Sequence, residues 1–171
     1  MLPLIYGSAI TRLHAELALV RLGQAGIGLA HVSVFYPQHS RPRHALWTKD
    51  CAEFPLSTGE PVLVSGFLRS WLKDTVDAAE SNSLAEGLRN LGLLHGPSQY
   101  IEGCLREGRA VVAAAEWDEF RASVVVECLR GVGTENIRQA MIDDRRAAIL
   151  GFRFQSAEAE LPMSPFGRVP A

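Results

Sequence analysis

Residues 109–142 read RAVVAAAEWDEFRASVVVECLRGVGTENIRQAMI and contain the pattern that decides the fold. An apolar strand is predicted over 109–116, an amphipathic helix over 117–133 and a second strand over 135–142. Asp118 directly follows the first strand and is a typical N-cap residue for the helix. The segment therefore predicts a strand–helix–strand (βαβ) unit.

The same order of elements occurs near the start of the chain, with a strand over 3–9, a helix over 11–26 and a strand over 31–36. Ser8 or Thr11 is predicted to cap this helix. Two such units, with helices of about four turns, form a split βαβ sandwich in which both helices cover one face of one sheet. The sequence therefore predicts an α+β, ferredoxin-like fold.

Each predicted helix carries apolar residues at helical spacing, which is typical of a face buried against a sheet. In the first helix they are Leu13, Leu17 and Val20, with Ala18 and Leu22 widening the stripe. In the second they are Phe120, Val124 and Cys128, with Val125, Leu129 and Val132 beside them. Because both helices would lie on one side, the opposite side of the sheet would need cover. We therefore expect a homodimer formed through sheet faces or edges.

A long insertion, residues 38–108, separates the two βαβ halves. It is too long for a loop without structure. We predict a strand over 61–66 and helices over 67–79, 83–93 and 97–107. This insertion is the expected location of features particular to this protein.

The end of the chain contains a candidate hairpin. Residues 145–154 alternate apolar and polar side chains, and Asp143 and Asp144 precede them as turn residues. Residues 156–171 contain three prolines and no apolar period, which is typical of a flexible tail. We therefore predict one α+β domain over 1–155 followed by this tail.

The composition of the 171-residue chain is ordinary for a globular protein, with 47% hydrophobic and 21% charged residues. Its net charge of −2 gives no overall attraction for nucleic acid, and no nucleic-acid partner is expected. The longest uncharged apolar runs are far shorter than the roughly 20 residues that cross a bilayer. The start of the chain lacks the pattern of a secretory signal. We therefore expect a cytoplasmic protein without a membrane partner.

Cys51, Cys104 and Cys128 are widely spaced and odd in number, which argues against a disulfide framework and against a zinc ribbon. The chain contains no HExxH, CxxC, GxSxG or GxxxxGK[ST] motif. We therefore predict reduced thiols, and no catalytic, cofactor-binding or metal-ligating residue.

One basic cluster lies over residues 39–44. Arg41, Arg43 and His44 are the candidate residues for contact with phosphate or with an acidic partner. The alternative interpretation of the same residues is an ordinary solvated loop.

A further set of residues resembles the bacterial heat-induced general stress protein family, in which a helix with a Tyr-Glu-like pair leads through a glycine into an apolar strand. The residues that carry this resemblance are Gly92, Leu93, Tyr100, Ile101, Glu102, Leu105, Gly108, Val111 and Val112, together with residues 61–66. The resemblance implies a role in a stress response. It implies no site residues, because members of the family have no agreed catalytic residues.

Three classes of function remain open at this point. The first is a non-enzymatic protein that acts through protein–protein contact or self-association. The second is a small-ligand-binding regulatory module with a pocket between sheet and insertion, lined by Tyr36, Trp47 or Trp71. The third is a thiol- or metal-dependent enzyme, which requires a cysteine to meet a second cysteine or a histidine in space. The sequence contains no recognisable group of polar residues that would converge on one site, and this favours the first class.

Overall fold

The computed structural model describes residues 1–38, 51–77, 83–116 and 118–143. The described residues form an α+β structure of six strands and five α-helices. The predicted hairpin over 145–154 and the predicted tail lie outside these ranges. Within the described ranges, no helix combines the length and the apolar character needed to cross a bilayer.

The strands form one open antiparallel sheet with the order β3-β4-β2-β5-β1-β6. They are β1 (Leu2–Ala9), β2 (Val32–Tyr36), β3 (Cys51–Pro55), β4 (Pro61–Gly66), β5 (Ala110–Ala115) and β6 (Glu135–Ile142). The helices are α1 (Arg12–Gln24), α2 (Phe67–Asp77), α3 (Leu84–Asn90), α4 (His95–Arg106) and α5 (Glu119–Gly131). A short 3-10 turn, Leu29–His31, precedes β2.

Both predicted βαβ units are present and share the sheet. β1, α1 and β2 form the first unit, and β5, α5 and β6 form the second. β5 lies between β1 and β2, and β1 lies between β5 and β6, so each unit encloses one strand of the other. The element bounds agree with the predicted ones to within two residues.

The starts of α1 and α5 are fixed by side-chain caps. The hydroxyl of Thr11 accepts a hydrogen bond from the backbone N–H of His14 at 3.3 Å. A carboxylate oxygen of Asp118 accepts from the backbone N–H of Arg121 at 3.0 Å. Each cap satisfies a donor that a helix end leaves without an intrahelical partner. The predicted cap Asp118 is confirmed, and Thr11 is the cap of α1.

The insertion adds strands to the sheet as well as helices. β4 was predicted, but β3 was not, and together they extend the sheet beyond β2. The prediction of one strand and three helices in the insertion was therefore incomplete, because it lacked β3. β4 continues directly into α2 at Gly66, whose φ of +80° places it in a region that side-chain-bearing residues rarely adopt.

The sheet has a hydrophobic core on each face. α1 and α5 cover one face, and the three insertion helices α2, α3 and α4 cover the other. Alternate residues of β5 enter the two cores: Val111, Ala113 and Ala115 on the insertion side, and Ala110, Val112 and Ala114 on the other side. The expectation of an uncovered sheet face was therefore wrong, and it no longer supports a dimer formed through that face.

The predicted buried stripe of α1 was wrong in part, because Leu13, Leu17 and Val20 are exposed, whereas Ala18 and Leu22 are buried as predicted. The helix instead packs on the sheet through Ala15, Ala18, Leu19 and Leu22. Two small alanines let the helix backbone approach the strands closely, so the larger leucines at the other positions point away.

α5 shows the same difference. Val125 and Leu129 are its buried residues, whereas Phe120 is 77% exposed and Val124 and Cys128 are only half-buried. The prediction is therefore confirmed for Val125 and Leu129 and wrong for Phe120, which lies outside the buried face.

Candidate functional site

A buried carboxylate joins three parts of the insertion. Glu102 lies on α4, is 5% exposed and points into the insertion-side core. One of its oxygens accepts the backbone N–H of Ser57 at 3.1 Å and that of Ala85 at 3.0 Å. Its other oxygen accepts the hydroxyl of Ser57. The carboxylate therefore ties α4 to the β3–β4 turn and to the first turn of α3.

The local sequence around Glu102 explains why these donors converge on it. The β3–β4 turn is closed by backbone hydrogen bonds from Leu56 to Glu60 and from Gly59 to Leu56, each of 2.8 Å, and Gly59 has a φ of +88°. This leaves the N–H of Ser57 without a partner inside the turn. Ser83 caps α3 by accepting from the N–H of Glu86 at 3.4 Å, which leaves the N–H of the second residue of the helix for Glu102.

A cavity of about 620 Å³ opens beside this carboxylate, and we call it the Glu102 cavity. It is lined by Ser57, Thr58, Ser83, Ala85, Arg89, His95, Gly96, Gln99, Tyr100, Glu102 and Arg106. Arg89, His95 and Arg106 are exposed, whereas Glu102 is buried. The cavity therefore combines cationic groups open to solvent with a carboxylate that is already hydrogen-bonded.

Tyr100 separates this cavity from a second one of about 350 Å³, which is also lined by Cys104. The Tyr100 ring lies 5.9 Å from that of Tyr6, and the guanidinium of Arg138 lies 4.2 Å from the centre of the Tyr100 ring. Burial raises the pKa of both tyrosines and of the Cys104 thiol. A buried thiol with a raised pKa is protonated at neutral pH and is a poor nucleophile.

A second buried carboxylate, Glu116, follows β5 and is 4% exposed at its side chain. Arg121 on α5 donates two hydrogen bonds of 3.0 Å to it, and these raise the pKa of the guanidinium. The ring of His31 lies 3.5 Å from the same carboxylate. This arrangement fixes the start of α5 against the end of β5. The carboxylate of Glu116 is paired with the guanidinium of Arg121.

The predicted contact residues Arg41, Arg43 and His44 lie outside the described residues, and so does Trp47. Tyr36 and Trp71 are fully buried in opposite cores, and neither lines the two cavities. Neither side chain therefore provides, in these two cavities, the aromatic lining that would favour a small-ligand-binding module. The cavities lie instead against α4.

The described residues contain no group of three or more His, Cys, Asp or Glu side chains able to hold a metal ion. The three cysteines all lie within the described residues, and no disulfide joins any two of them. Cys128 is only half-buried, so its predicted place in the core was wrong in part.

Sequence reasoning noted Glu102 only as part of a resemblance and missed its role. A signal was present, because Glu102 occupies the buried stripe of α4 together with Ser98, Ile101 and Leu105. An acidic residue at a core position of an amphipathic helix requires hydrogen-bond donors from neighbouring elements. That requirement identifies Glu102 as a residue that organises its surroundings.

Comparison with known proteins finds no family model, no curated protein and no solved structure that matches this chain. The resemblance to the general stress protein family therefore stays a prediction. The function has to be inferred from the exposed surfaces and the cavities themselves.

Proposed function

We propose that this protein is non-enzymatic and acts through protein–protein contact at the outward surface of α1. We call this surface the α1 outer face and define it by Ile10, Leu13, Leu17 and Val20. Their exposed fractions are 49%, 60%, 44% and 52%. A surface helix of a globular protein is normally polar on its solvent side, so an apolar solvent side supports a docking role.

The spacing of the α1 outer face favours a helix as the contacting element. Within α1, Leu13, Leu17 and Val20 follow steps of four and three residues, and Ile10 lies just before the start of the helix. This is the spacing of the core positions in a two-helix coiled coil, where each apolar side chain inserts between side chains of the facing helix. A second copy of this chain presents such a helix and is the partner we propose.

The helix beside α1 carries a further exposed apolar side chain. A guanidinium nitrogen of Arg121 donates to the carbonyl of Gly26 at 3.4 Å, and the thiol of Cys128 lies 3.9 Å from the carbonyl of Arg21. The start of α5 therefore lies beside the end of α1. Phe120, at this start of α5, is 77% exposed, which supports docking on this side of the sheet.

The free energy available from this surface favours a weak or moderate contact. Completing the burial of a half-exposed leucine or valine contributes about 1 kcal/mol. Four such residues from each of two copies contribute about 8 kcal/mol, from which the cost of association, at least about 4 kcal/mol, must be subtracted. At most about 4 kcal/mol remains, so the Kd of the contact should be about 1 mM or higher.

The ferredoxin-like fold and the role in a stress response belong to the same proposal. The strand order β2-β5-β1-β6 and the two interlocked βαβ units support the ferredoxin-like assignment. The resemblance of residues 61–66 and of the segment around Tyr100 supports the stress-response role.

Light scattering coupled to size-exclusion chromatography tests the contact, over protein concentrations up to about 1 mM. The wild-type chain should gain mass with concentration, and Leu17→Glu at the centre of the α1 outer face should stay monomeric. Leu94→Glu is the matched control, because Leu94 is 76% exposed and lies at the start of α4. Its self-association should equal that of the wild type.

Two outcomes would contradict the proposal. One is a wild-type chain that stays monomeric at every concentration. The other is equal self-association of the wild type and Leu17→Glu. Because Leu17 is largely exposed, the fold of the variant should be retained, and its circular dichroism spectrum checks this.

A further inference from the structure

We propose that the Glu102 cavity binds a small organic anion and that Arg89 and Arg106 hold its carboxylate or phosphate group. The volume of about 620 Å³ lies within the range of sites that take small molecules, roughly 300 to 1000 Å³. The inference is independent of the α1 outer face, since α1 covers the opposite side of the sheet.

The charges that line the cavity favour an anion over a cation. Among the described residues, neither Arg89 nor Arg106 has an acidic partner within ion-pair distance. Glu102 is the acidic residue of the lining, and its oxygens already accept hydrogen bonds from Ser57 and Ala85. Two guanidinium groups are therefore available to an incoming oxyanion, which they can bind through paired hydrogen bonds.

The remaining lining supplies polar contacts of the kind that orient such a ligand. Thr58 and Gln99 are exposed side chains that donate and accept hydrogen bonds. His95 adds a third nitrogen-bearing side chain to the lining. A ligand with one anionic group and a polar body matches this combination.

The walls of the cavity are held in place before any ligand binds. Glu102 joins the β3–β4 turn, through Ser57, to the first turn of α3, through Ala85. Arg138 lies over the ring of Tyr100, which forms another wall. Because binding need not order these elements, the cost of organising the site is reduced. Glu102 is therefore a positioning residue rather than a contact to the ligand.

Isothermal titration calorimetry at low ionic strength, with three separate probes, tests the proposal. Inorganic phosphate, citrate and adenosine monophosphate distinguish a simple phosphate, a polycarboxylate and a phosphate on an organic body. At least one probe should bind the wild-type chain. Arg89→Gln and Arg106→Gln should each weaken that binding by about tenfold or more, as expected for loss of a charge-assisted hydrogen bond.

Arg130→Gln is the matched control, because Arg130 is an exposed arginine of α5 on the other side of the sheet. The variant removes one positive charge far from the cavity, and this should change the binding by less than about twofold. Amide chemical-shift changes at Gly96 and Gln99 locate the probe independently of any variant. They should exceed those at residues of α5.

Three outcomes would overturn the proposal. The first is that no probe binds the wild-type chain. The second is that Arg130→Gln weakens binding as much as Arg89→Gln and Arg106→Gln, which would indicate attraction by the overall surface charge. The third is that the shift changes lie away from Gly96 and Gln99. Both cavity arginines are exposed, so circular dichroism should show that their variants remain folded.

Discussion

Replacing Glu102 with alanine removes the acceptor that three donors share. Ala85 is 7% exposed, so its N–H is largely shielded from water, whereas Ser57 is exposed and its two donors can return to water. Leaving a buried donor without an acceptor costs about 1–3 kcal/mol, and each donor that exchanges to water loses about 1 kcal/mol. The free energy of unfolding should therefore fall by about 3–5 kcal/mol.

Such a loss is a large part of the total stability of a domain, which is about 5–15 kcal/mol. For a chain of this size it corresponds to a decrease in Tm of about 6–20 °C. Glu102→Gln keeps one acceptor oxygen for the N–H groups of Ser57 and Ala85, but it loses the charge and the second oxygen, which accepts the Ser57 hydroxyl, so it should cost about 1–2 kcal/mol. Urea denaturation followed by tryptophan fluorescence measures both variants.

Glu107→Ala is the control, since Glu107 follows α4 directly and its side chain is 72% exposed. It should change the free energy of unfolding by no more than about 0.5 kcal/mol. If Glu102→Ala and Glu107→Ala cost the same, the reasoning about the shared acceptor is refuted. If Glu102→Gln costs as much as Glu102→Ala, the one acceptor oxygen that glutamine keeps does not hold the two N–H donors in place.

Three further predictions concern Tyr36, Cys104 and Gly66. Burial raises the pKa of Tyr36 in the folded protein above its ordinary value of 10.0. As the pH rises, the hydroxyl of the unfolded chain therefore ionises before that of the folded protein. The full contribution of Tyr36 to stability should be present below about pH 10 and should fall as the pH rises above it. The Tyr36 hydroxyl has no hydrogen-bond partner within the described structure, so Tyr36→Phe should add about 1 kcal/mol at pH 7 and flatten that alkaline decrease in a pH series of thermal melts. Burial raises the pKa of the Cys104 thiol, so iodoacetamide at pH 7.5 should modify Cys104 about tenfold more slowly than the half-buried Cys128 by mass spectrometry, and equal rates would contradict this. Gly66→Ala places a Cβ 2.0 Å from a backbone oxygen at a φ of +80° and should cost more than about 3 kcal/mol in urea denaturation, whereas Gly28→Ala enters open space and should be nearly neutral.

The order of elements was predictable from the sequence because the period of the apolar residues changes between strands and helices. β5 and α5 illustrate this: a continuous apolar run is followed by a capping Asp118 and then by helical spacing. The pairing of the two units in one sheet followed from the general properties of βαβ connections.

The buried face of α1 was not predictable from periodicity, because this helix carries apolar residues on both sides. Leucines at 13 and 17 form as regular a stripe as Leu19 and Leu22 do. The choice between the stripes depends on how closely the helix approaches the sheet, and the alanines at 15 and 18 determine that distance.

The strand β3 and the Glu102 cavity were missed for a different reason. β3 is a five-residue strand that ends in Pro55, and its burial pattern carries little alternation. The cavity depends on contacts between Glu102, Ser57 and Ala85, which lie as far as 45 residues apart in sequence. No local pattern records such contacts.

The shared sheet also limits how this protein can have changed during its history. A gene that lost the segment 38–108 would still encode both βαβ units, but Leu4, Tyr6 and Val111 would face water. Such a shortened descendant would be prone to aggregate, since an exposed flat sheet face invites association. The segment and the two units it separates should therefore be inherited together, and ancestors without it would have needed another cover for the same residues.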